Sequence, residues 1–294
     1  MPREIVDAGD GLADTLAAML RAYLEVDVFT AEPYRGNPLA VVLDGTGLTI
    51  EQMQQFANWT NFSETTFLLP PTDPTADYLV RIFTTSMELQ FAGHPTLGSC
   101  HAWLTNGGVP KDGERIVQEC GVGLVEIRRD GERLAFAAPP LLKSGPLDQE
   151  TLAAAPLAVG IDAEQIVDSA WIDNGPGWLG LLLGSAEEVL AATKGVSTLK
   201  IGVIGAHPAG SPAAYEVRGF FPEGTTLFED PVTGSLNAST AQWLIDSGRF
   251  TPPYIATQGS ALGRAGQVYI SQDAAGQVWV GGDVVTCISG TVEL

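Results

Sequence analysis

Side chains that ligate metals or form disulfide bonds are scarce in this sequence. Its 294 residues include three cysteines and three histidines. Cys100, Cys120 and Cys287 are widely spaced and form no Cys-x-x-Cys pair, and the histidines show no His-Glu-x-x-His spacing. We therefore expect reduced thiols, as in a cytoplasmic protein, and neither a disulfide framework nor a metal site.

Basic residues are scarce as well. Lysine and arginine together number 15, against 35 aspartate and glutamate residues, so the formal net charge is −20 at pH 7. A surface of this sign repels the phosphate backbone of nucleic acids, so no nucleic-acid partner is expected. A small anionic substrate remains compatible with this charge, because the N-terminus of a helix can hold an anion.

Long apolar runs are missing too. No stretch approaches the roughly 20 apolar residues that a membrane helix requires, and the N-terminus lacks the signature of a signal peptide. We therefore expect a cytoplasmic protein without a membrane partner. What the sequence does contain is 45% hydrophobic residues, 34 glycines and 19 prolines. This composition is typical of a strand-rich folded protein with many turns.

Two similar segments indicate an internal repeat. YLVRIF at 78–83 and YEVRGF at 215–220 share Tyr-x-Val-Arg-x-Phe. Each precedes a phenylalanine at a strand end, a turn containing glycine, a helix, and Trp-Leu before a closing glycine, at 90–108 and 227–248. We infer an α+β protein with two pseudo-symmetric domains, each a sheet wrapped around a central helix. The two central helices would then begin in one shared cleft.

The repeat suggests a division of the chain. We predict an N-terminal extension at 1–22, a first domain at 23–138 and a second domain at 139–294. The extension is expected to have no catalytic role, although a short amphipathic helix can start at Leu12. The strands at the C-terminus can pair back onto either domain.

Local signals place several elements. Tyr23–Thr30 and Asn37–Asp44 are predicted to form a hairpin, and Asp130-Gly131 the turn of another. Thr49 and Ser185 are predicted to cap helices, each with a glutamine or glutamate three residues later that completes a capping box.

The first candidate site residues surround the first central helix. Glu64 enters an apolar strand among hydroxyl groups, where burial would raise its pKa, but by itself it also fits a solvated turn residue. His94 follows Gly93 where the helix begins. It suits a general acid or base, and equally a histidine with structural hydrogen bonds only.

The remaining candidates surround the second central helix. Asp230 opens a turn, and Thr233, Gly234 and Ser235 expose consecutive N–H groups at the helix start, although a simple N-cap fits the same pattern. Asn37 follows a glycine turn and, taken alone, fits a hairpin.

Taken together and in order, four motifs resemble those of the PhzF-like phenazine-biosynthesis isomerase family, which has the diaminopimelate-epimerase fold. They are VDVFT…GNPLAVV, NFSETTFL, FAGHPTLG and EDPVTGS, and the resemblance runs from Val26 to the end of the chain. The resemblance implies strongly curved, mostly antiparallel sheets and a site in the cleft between the domains. It also implies a small carboxylate substrate, no cofactor or metal, and a homodimer.

The family's functional residues carry over to matching positions. The resemblance implies Glu64 as the catalytic glutamate, with His94 and Asp230 in catalytic roles. It implies that Gly93 and Ser235 bind the substrate. Asn37, Thr233 and Gly234 join them as expected substrate-binding residues.

One departure separates this chain from the epimerases of the same fold. Those enzymes use two cysteines, one before the glycine at each helix start, where this chain has Ala92 and Thr233. With Glu64 as the single acid/base group, we expect an isomerase that moves a proton and a double bond within a small unsaturated acid. The alternatives are an epimerase or dehydratase of an amino or hydroxy acid, and a small-molecule-binding protein without catalysis.

Overall fold

The computed structural model describes residues 19–113 and 115–294, so the helix predicted from Leu12 lies outside the described residues. Eighteen strands dominate this part of the chain. The first nine are β1 (Leu20–Val28), β2 (Asn37–Val42), β3 (Thr65–Leu69), β4 (Tyr78–Phe83), β5 (Glu88–Leu89), β6 (Arg115–Cys120), β7 (Gly123–Asp130), β8 (Arg133–Ala137) and β9 (Lys143–Gly145). The others are β10 (Ile166–Asp173), β11 (Trp178–Leu183), β12 (Lys200–Ala206), β13 (Tyr215–Glu223), β14 (Thr226–Asp230), β15 (Tyr254–Gln258), β16 (Gly266–Gln272), β17 (Val278–Gly282) and β18 (Val284–Glu293).

Five α-helices lie between these strands in the described part of the chain. They are α1 (Ile50–Thr60), α2 (Gly93–Thr105), α3 (Gln149–Ala158), α4 (Ala186–Ala191) and α5 (Gly234–Asp246). The predicted capping boxes are confirmed at α1 and α4, where Thr49 and Ser185 accept hydrogen bonds from backbone N–H groups three residues later. The predicted hairpins β1–β2 and β7–β8 are also confirmed. None of the helices in the described residues has the length and apolar character needed to span a bilayer.

The strands form two halves with the same pairing pattern. The first half runs β18–β1–β2–β3–β4–β6–β7–β8, and the second runs β9–β10–β11–β12–β13–β15–β16–β17. In each half the third strand pairs in parallel with the fourth and the fifth with the sixth, while the other pairs are antiparallel. The pseudo-symmetric fold expected from the repeat is therefore confirmed strand by strand.

The first half takes its outer edge strand from the end of the chain, whereas the strands of the second half are consecutive in the sequence. Strand β18 follows β17 along the chain but pairs with β1, and β9 follows β8 but pairs with β10. Strands β8 and β17 pair with each other and join the halves into one continuous sheet. The C-terminal strand thus completes the first half, while the domain boundary between residues 138 and 139 stays a prediction.

The central helices are buried because apolar and small residues surround them. Leu97, Cys100 and Ala102 of α2 belong to the same hydrophobic core as Leu236 and Leu244 of α5. A helix that is apolar on all sides is stable only inside a protein. This packing holds the first turn of each helix in place, which is where the candidate site lies.

Matching ion pairs hold the hairpin before each central helix. Arg81 of β4 forms two hydrogen bonds with the Glu88 carboxylate at 2.7 and 2.6 Å, and Arg218 of β13 forms two with Glu229 at 2.9 and 2.7 Å. These arginines are the ones shared by the two repeated segments. Glu229 of the second pair is the residue before Asp230, so this ion pair helps fix the position of the Asp230 carboxylate.

Candidate active site

The two central helices begin against each other. A Cβ atom added to Gly93 would lie 2.9 Å from the Cα of Gly234, and one added to Gly234 would lie 2.8 Å from the Cα of Gly93. Real Cβ atoms do not approach so closely, so both positions require glycine. The structure therefore brings two helix N-termini together, and their dipoles place partial positive charge at one location.

Glu64 and His94 face each other beside this junction. The Glu64 side chain enters from the residue before β3, and its Oε2 lies 3.3 Å from Nε2 of His94. The side chains are 16% and 5% exposed, respectively. Neither atom has a hydrogen-bond partner among the described residues. Buried polar atoms without a partner are uncommon in folded proteins, which makes this pair a candidate functional feature.

Burial sets the protonation of this pair. Burial raises the pKa of Glu64 to about 8, and the negative charge of Asp230 adds to the rise. Burial also lowers the pKa of His94 to about 3. At neutral pH most Glu64 side chains therefore carry a proton and His94 is neutral, so their contact is not an ion pair.

Asn37 links the two halves at the site. Its Nδ2 donates to Oδ1 of Asp230 at 2.9 Å and to the carbonyl oxygen of Val232 at 3.0 Å, and lies 3.3 Å from Nδ1 of His94. If the Asn37 amide were reversed, its oxygen would face the Asp230 carboxylate and the Val232 carbonyl oxygen, which are both acceptors. We therefore assign the amide nitrogen to the position that faces them. An amide nitrogen accepts no hydrogen bond, so a proton on Nδ1 of His94 would face a donor; we therefore assign the ring proton to Nε2, facing Glu64.

Asp230 is held by the residues around the second helix start. The Thr233 hydroxyl donates to its Oδ2 at 2.7 Å, and Gln258 donates to its backbone oxygen at 3.1 Å. Burial raises the pKa of Asp230, against the lowering effect of the hydrogen bonds from Thr233 and Asn37. Asp230 therefore lies in the same dry environment as Glu64.

Gln258 also fixes the first turn of α5, and the sequence analysis missed it. Its Oε1 accepts from the Thr233 backbone at 2.9 Å and from Asn237 at 2.8 Å. Gln258 ends strand β15, far from any motif in the sequence, and no local pattern marks it.

Ser235 is oriented by a loop that the sequence analysis also missed. Its Oγ accepts a hydrogen bond from the indole N–H of Trp178 at 3.0 Å, and Asn174 donates to its carbonyl oxygen at 2.9 Å. Because the serine oxygen is the acceptor, its own proton is free to be donated. In the repeat, the β10–β11 loop corresponds to the β1–β2 loop that ends at Asn37. Extending the sequence repeat towards the N-terminus of each half would therefore have indicated this loop.

No thiol stands at either helix start. Ala92 and Thr233 occupy the N-cap positions of α2 and α5. Cys100 lies inside α2, fully buried, where burial raises the pKa of its thiol to about 12. The described residues contain no cluster of histidine, cysteine, aspartate or glutamate that could hold a metal ion.

Comparison with known proteins reveals close relatives. Antisense-enhancing sequence 1 of Schizosaccharomyces pombe is 37% identical over 292 residues, covering 92% of this chain and 97% of the relative. The trans-2,3-dihydro-3-hydroxyanthranilate isomerase of Pseudomonas fluorescens is 31% identical, covering 92% of this chain and 99% of the relative.

Solved structures share the fold. A PhzF-family protein of Bacillus anthracis superposes with a TM-score of 0.77 at 22% identity, covering 93% of this chain and 99% of the other. A hydroxyproline epimerase of Agrobacterium vitis has a TM-score of 0.54 at 16% identity, covering 94% and 93%. These likenesses confirm the epimerase-like fold expected from the sequence.

A family model assigns the chain as a whole. The model described as phenazine biosynthesis-like protein, PhzC-PhzF, matches residues 26–290. That match spans both halves of the sheet, both central helices and every candidate site residue. The chain therefore belongs to the PhzC-PhzF family of phenazine biosynthesis-like proteins.

Proposed function

We propose that this protein is a cofactor-independent isomerase that moves a proton and a double bond within a small unsaturated carboxylic acid. The Pseudomonas fluorescens relative is named as an isomerase of such an acid. The expectation of an isomerase from the sequence agrees with that name. Glu64 is the proton carrier in this proposal.

The observation that carries the proposal is the buried Glu64 carboxyl group, which lies beside the neutral imidazole of His94. With a pKa of about 8, Glu64 can both accept and return a proton near neutral pH. At the opposite helix start the N-cap residue is Thr233 rather than an acid/base group, and the nearby Asp230 carboxyl group accepts hydrogen bonds from Thr233 and Asn37. A proton carrier on one face of the substrate suits proton transfer between two carbons on that face, rather than inversion of the configuration at one carbon.

The proposed reaction balances without a cofactor. The ionised Glu64 carboxylate removes a proton from an allylic carbon, and the electron pair spreads through the adjacent double bond. Glu64 then returns the same proton to a second carbon, so substrate and product are isomers. The Nε2 proton of His94 lies where it can stabilise the negative charge on Glu64 or on the intermediate.

The substrate carboxylate is proposed to bind where the helices meet. The first turns of α2 and α5 offer free N–H groups, and the Ser235 hydroxyl adds a donor. Gly93 and Gly234, proposed to bind the substrate through their N–H groups, allow the two helix starts to meet closely. Asn37, Asp230 and Thr233 form a network that fixes the polar wall of the site. The homodimer expected from the resemblance stays a prediction.

Proton NMR in deuterated water tests the reaction. Purified protein is incubated with a panel of unsaturated and hydroxylated carboxylic acids that includes trans-2,3-dihydro-3-hydroxyanthranilate. We expect a double bond to migrate with wild-type protein and with the surface control Glu187→Gln, and no migration with Glu64→Gln.

The same experiment separates the alternatives. Full activity of Glu64→Gln would end the proposed mechanism. Deuterium incorporation with inversion of a stereocentre, and without double-bond movement, would indicate an epimerase. Ligand binding without turnover, equal in wild type and Glu64→Gln, would indicate a binding protein.

A further inference from the structure

One pocket lies away from the proposed catalytic residues. Its volume is about 380 Å³, and its polar lining consists of Arg35, Arg264, Thr257, Ser260 and Gln267. Arg35 comes from the β1–β2 loop of the first half, and the other residues come from the second half. A volume of this size suits a small organic molecule.

Reciprocal hydrogen bonds hold the two arginines in place. Arg35 donates through Nη1 to the carbonyl oxygen of Gly263 at 3.3 Å, and Arg264 donates through Nη1 to that of Tyr34 at 3.1 Å. The backbone N–H of Ala265 also donates to the carbonyl oxygen of Arg35 at 2.7 Å. A guanidinium group has five N–H donors, so each arginine keeps others available for a ligand.

Neither guanidinium group has a carboxylate within 4.0 Å in the described part of the chain, although the protein has 35 acidic residues. The nearby Asp27 carboxylate accepts instead from the backbone N–H groups of Arg35 and Gly36. Two like charges lining one pocket repel each other, and an anion bound between them offsets that repulsion.

We propose that this pocket binds a small organic anion whose carboxylate or phosphate oxygens contact Arg35 and Arg264. The site is separate from the catalytic residues, because neighbouring side chains of a strand point to opposite faces. Gln258 of β15 faces Thr233 and Asp230, so Thr257, which lines the pocket, lies on the other face of the strand.

Isothermal titration calorimetry with citrate and with inorganic phosphate, at constant ionic strength, tests the proposal. We expect saturable binding of at least one anion to wild-type protein. Arg264→Gln and Arg35→Gln should each weaken it by about tenfold or more, as expected for losing a hydrogen bond between charged groups. Arg249→Gln is the matched control, because Arg249 is half-exposed and already paired with Asp168 at 2.7 Å.

The catalytic variant Glu64→Gln completes the experiment and should bind the anion as wild type does. Binding of citrate alone would identify a carboxylate site, and binding of phosphate alone a phosphate site. The proposal is wrong if neither anion binds, or if the two pocket variants bind like wild type. Loss of binding in Glu64→Gln would also overturn it, because the anion would then occupy the catalytic site.

Discussion

Glu64 makes the protein less stable wherever its carboxyl group is ionised. Its pKa rises from 4.5 to about 8 on folding, so the folded protein binds this proton more tightly than the unfolded chain does. The contribution of this proton to the free energy of unfolding is fully present below about pH 4.5. It is lost as the pH rises towards about 8. Catalytic groups often carry a stability cost of this kind.

Replacing Glu64 by glutamine should therefore stabilise the protein at high pH. The neutral amide has a similar shape and no charge to bury, so we expect Glu64→Gln to exceed wild type by about 2 to 4 kcal/mol at pH 9 and by less than about 1 kcal/mol at pH 5. Urea unfolding at both pH values measures the difference. Glu187→Gln, on the surface of α4, should match wild type at both. A pH-independent difference for Glu64→Gln would show that its carboxyl group is not the cause.

The charge of Asp230 should contribute to the raised pKa of Glu64. Removing that charge with Asp230→Asn should lower the pKa of Glu64. The pKa should still stay above its ordinary value, because burial is the larger cause. Carbon-13 NMR titration of the glutamate carboxyl groups reports it directly. The distant substitution Asp168→Asn should leave the titration of Glu64 unchanged. If the pKa of Glu64 were the same in Asp230→Asn as in wild type, the electrostatic coupling would be refuted.

At the scale of elements, the contact between the two helix starts depends on missing Cβ atoms. A methyl group at Gly93 would lie 2.8 Å from Cζ of Phe136 and 2.9 Å from Cα of Gly234. We expect Gly93→Ala to destabilise the protein by about 1 to 3 kcal/mol and to reduce isomerase activity, because the helix starts must move apart. Thermal unfolding and the NMR assay check both effects.

Gly290 provides the control for this substitution. It lies in strand β18, where an added Cβ would meet nothing within 4 Å. Gly290→Ala should keep wild-type stability and activity. Equal behaviour of the two variants would mean that close packing at Gly93 is unimportant.

The two matching ion pairs differ in burial, and so should their energetic roles. The side chains of Arg218 and Glu229 are 5% and 1% exposed, against 24% and 29% for Arg81 and Glu88. We expect Arg218→Met to cost about 3 to 5 kcal/mol of unfolding free energy, because it leaves a buried carboxylate unpaired. Arg81→Met should cost about 1 kcal/mol, since solvent reaches that pair. Urea unfolding of both variants decides the order, and equal costs would contradict this account.

At the scale of the whole molecule, the two halves share one continuous sheet and neither half completes the site by itself. Strand β1 needs β18, and β8 needs β17. Asn37 from the first half bonds Asp230 from the second, 193 residues later. The candidate site residues are therefore brought together only when both halves are folded.

A fragment of residues 19–140 should consequently fail to fold cooperatively. It keeps β1 to β8 but loses the partner strand at both edges of its sheet. Circular dichroism with urea unfolding measures this. Cooperative unfolding of the isolated fragment would show that the first half is an independent domain.

A circular permutant serves as the control for the fragment. Met19 and Leu294 exchange backbone hydrogen bonds of 2.8 and 3.1 Å, so a short glycine linker can join Leu294 to Met19 in a permutant that omits residues 1–18. New ends between Pro140 and Leu141 lie in the connection from β8 to β9. Because every strand pair is kept, this permutant should fold and unfold cooperatively.

The sequence by itself determined the repeat, the starts of α1, α2, α4 and α5, and the family. These features depend on residues a few positions apart, such as the capping box at Thr49 and the shared Tyr-x-Val-Arg-x-Phe. The curved, pseudo-symmetric fold followed from them and is confirmed by the strand pairing and the structural relatives. The sequence also selected Glu64, His94 and Asp230, which the structure brings together at one junction.

Only the tertiary structure decided how these groups are held and protonated. Gln258 and Trp178 reach the site through contacts across 25 and 57 residues of sequence, which no local pattern encodes. The raised pKa of Glu64 and the lowered pKa of His94 come from burial by both halves. Local sequence specifies turns, caps and periodicity, whereas desolvation and charge proximity exist only after distant segments pack together.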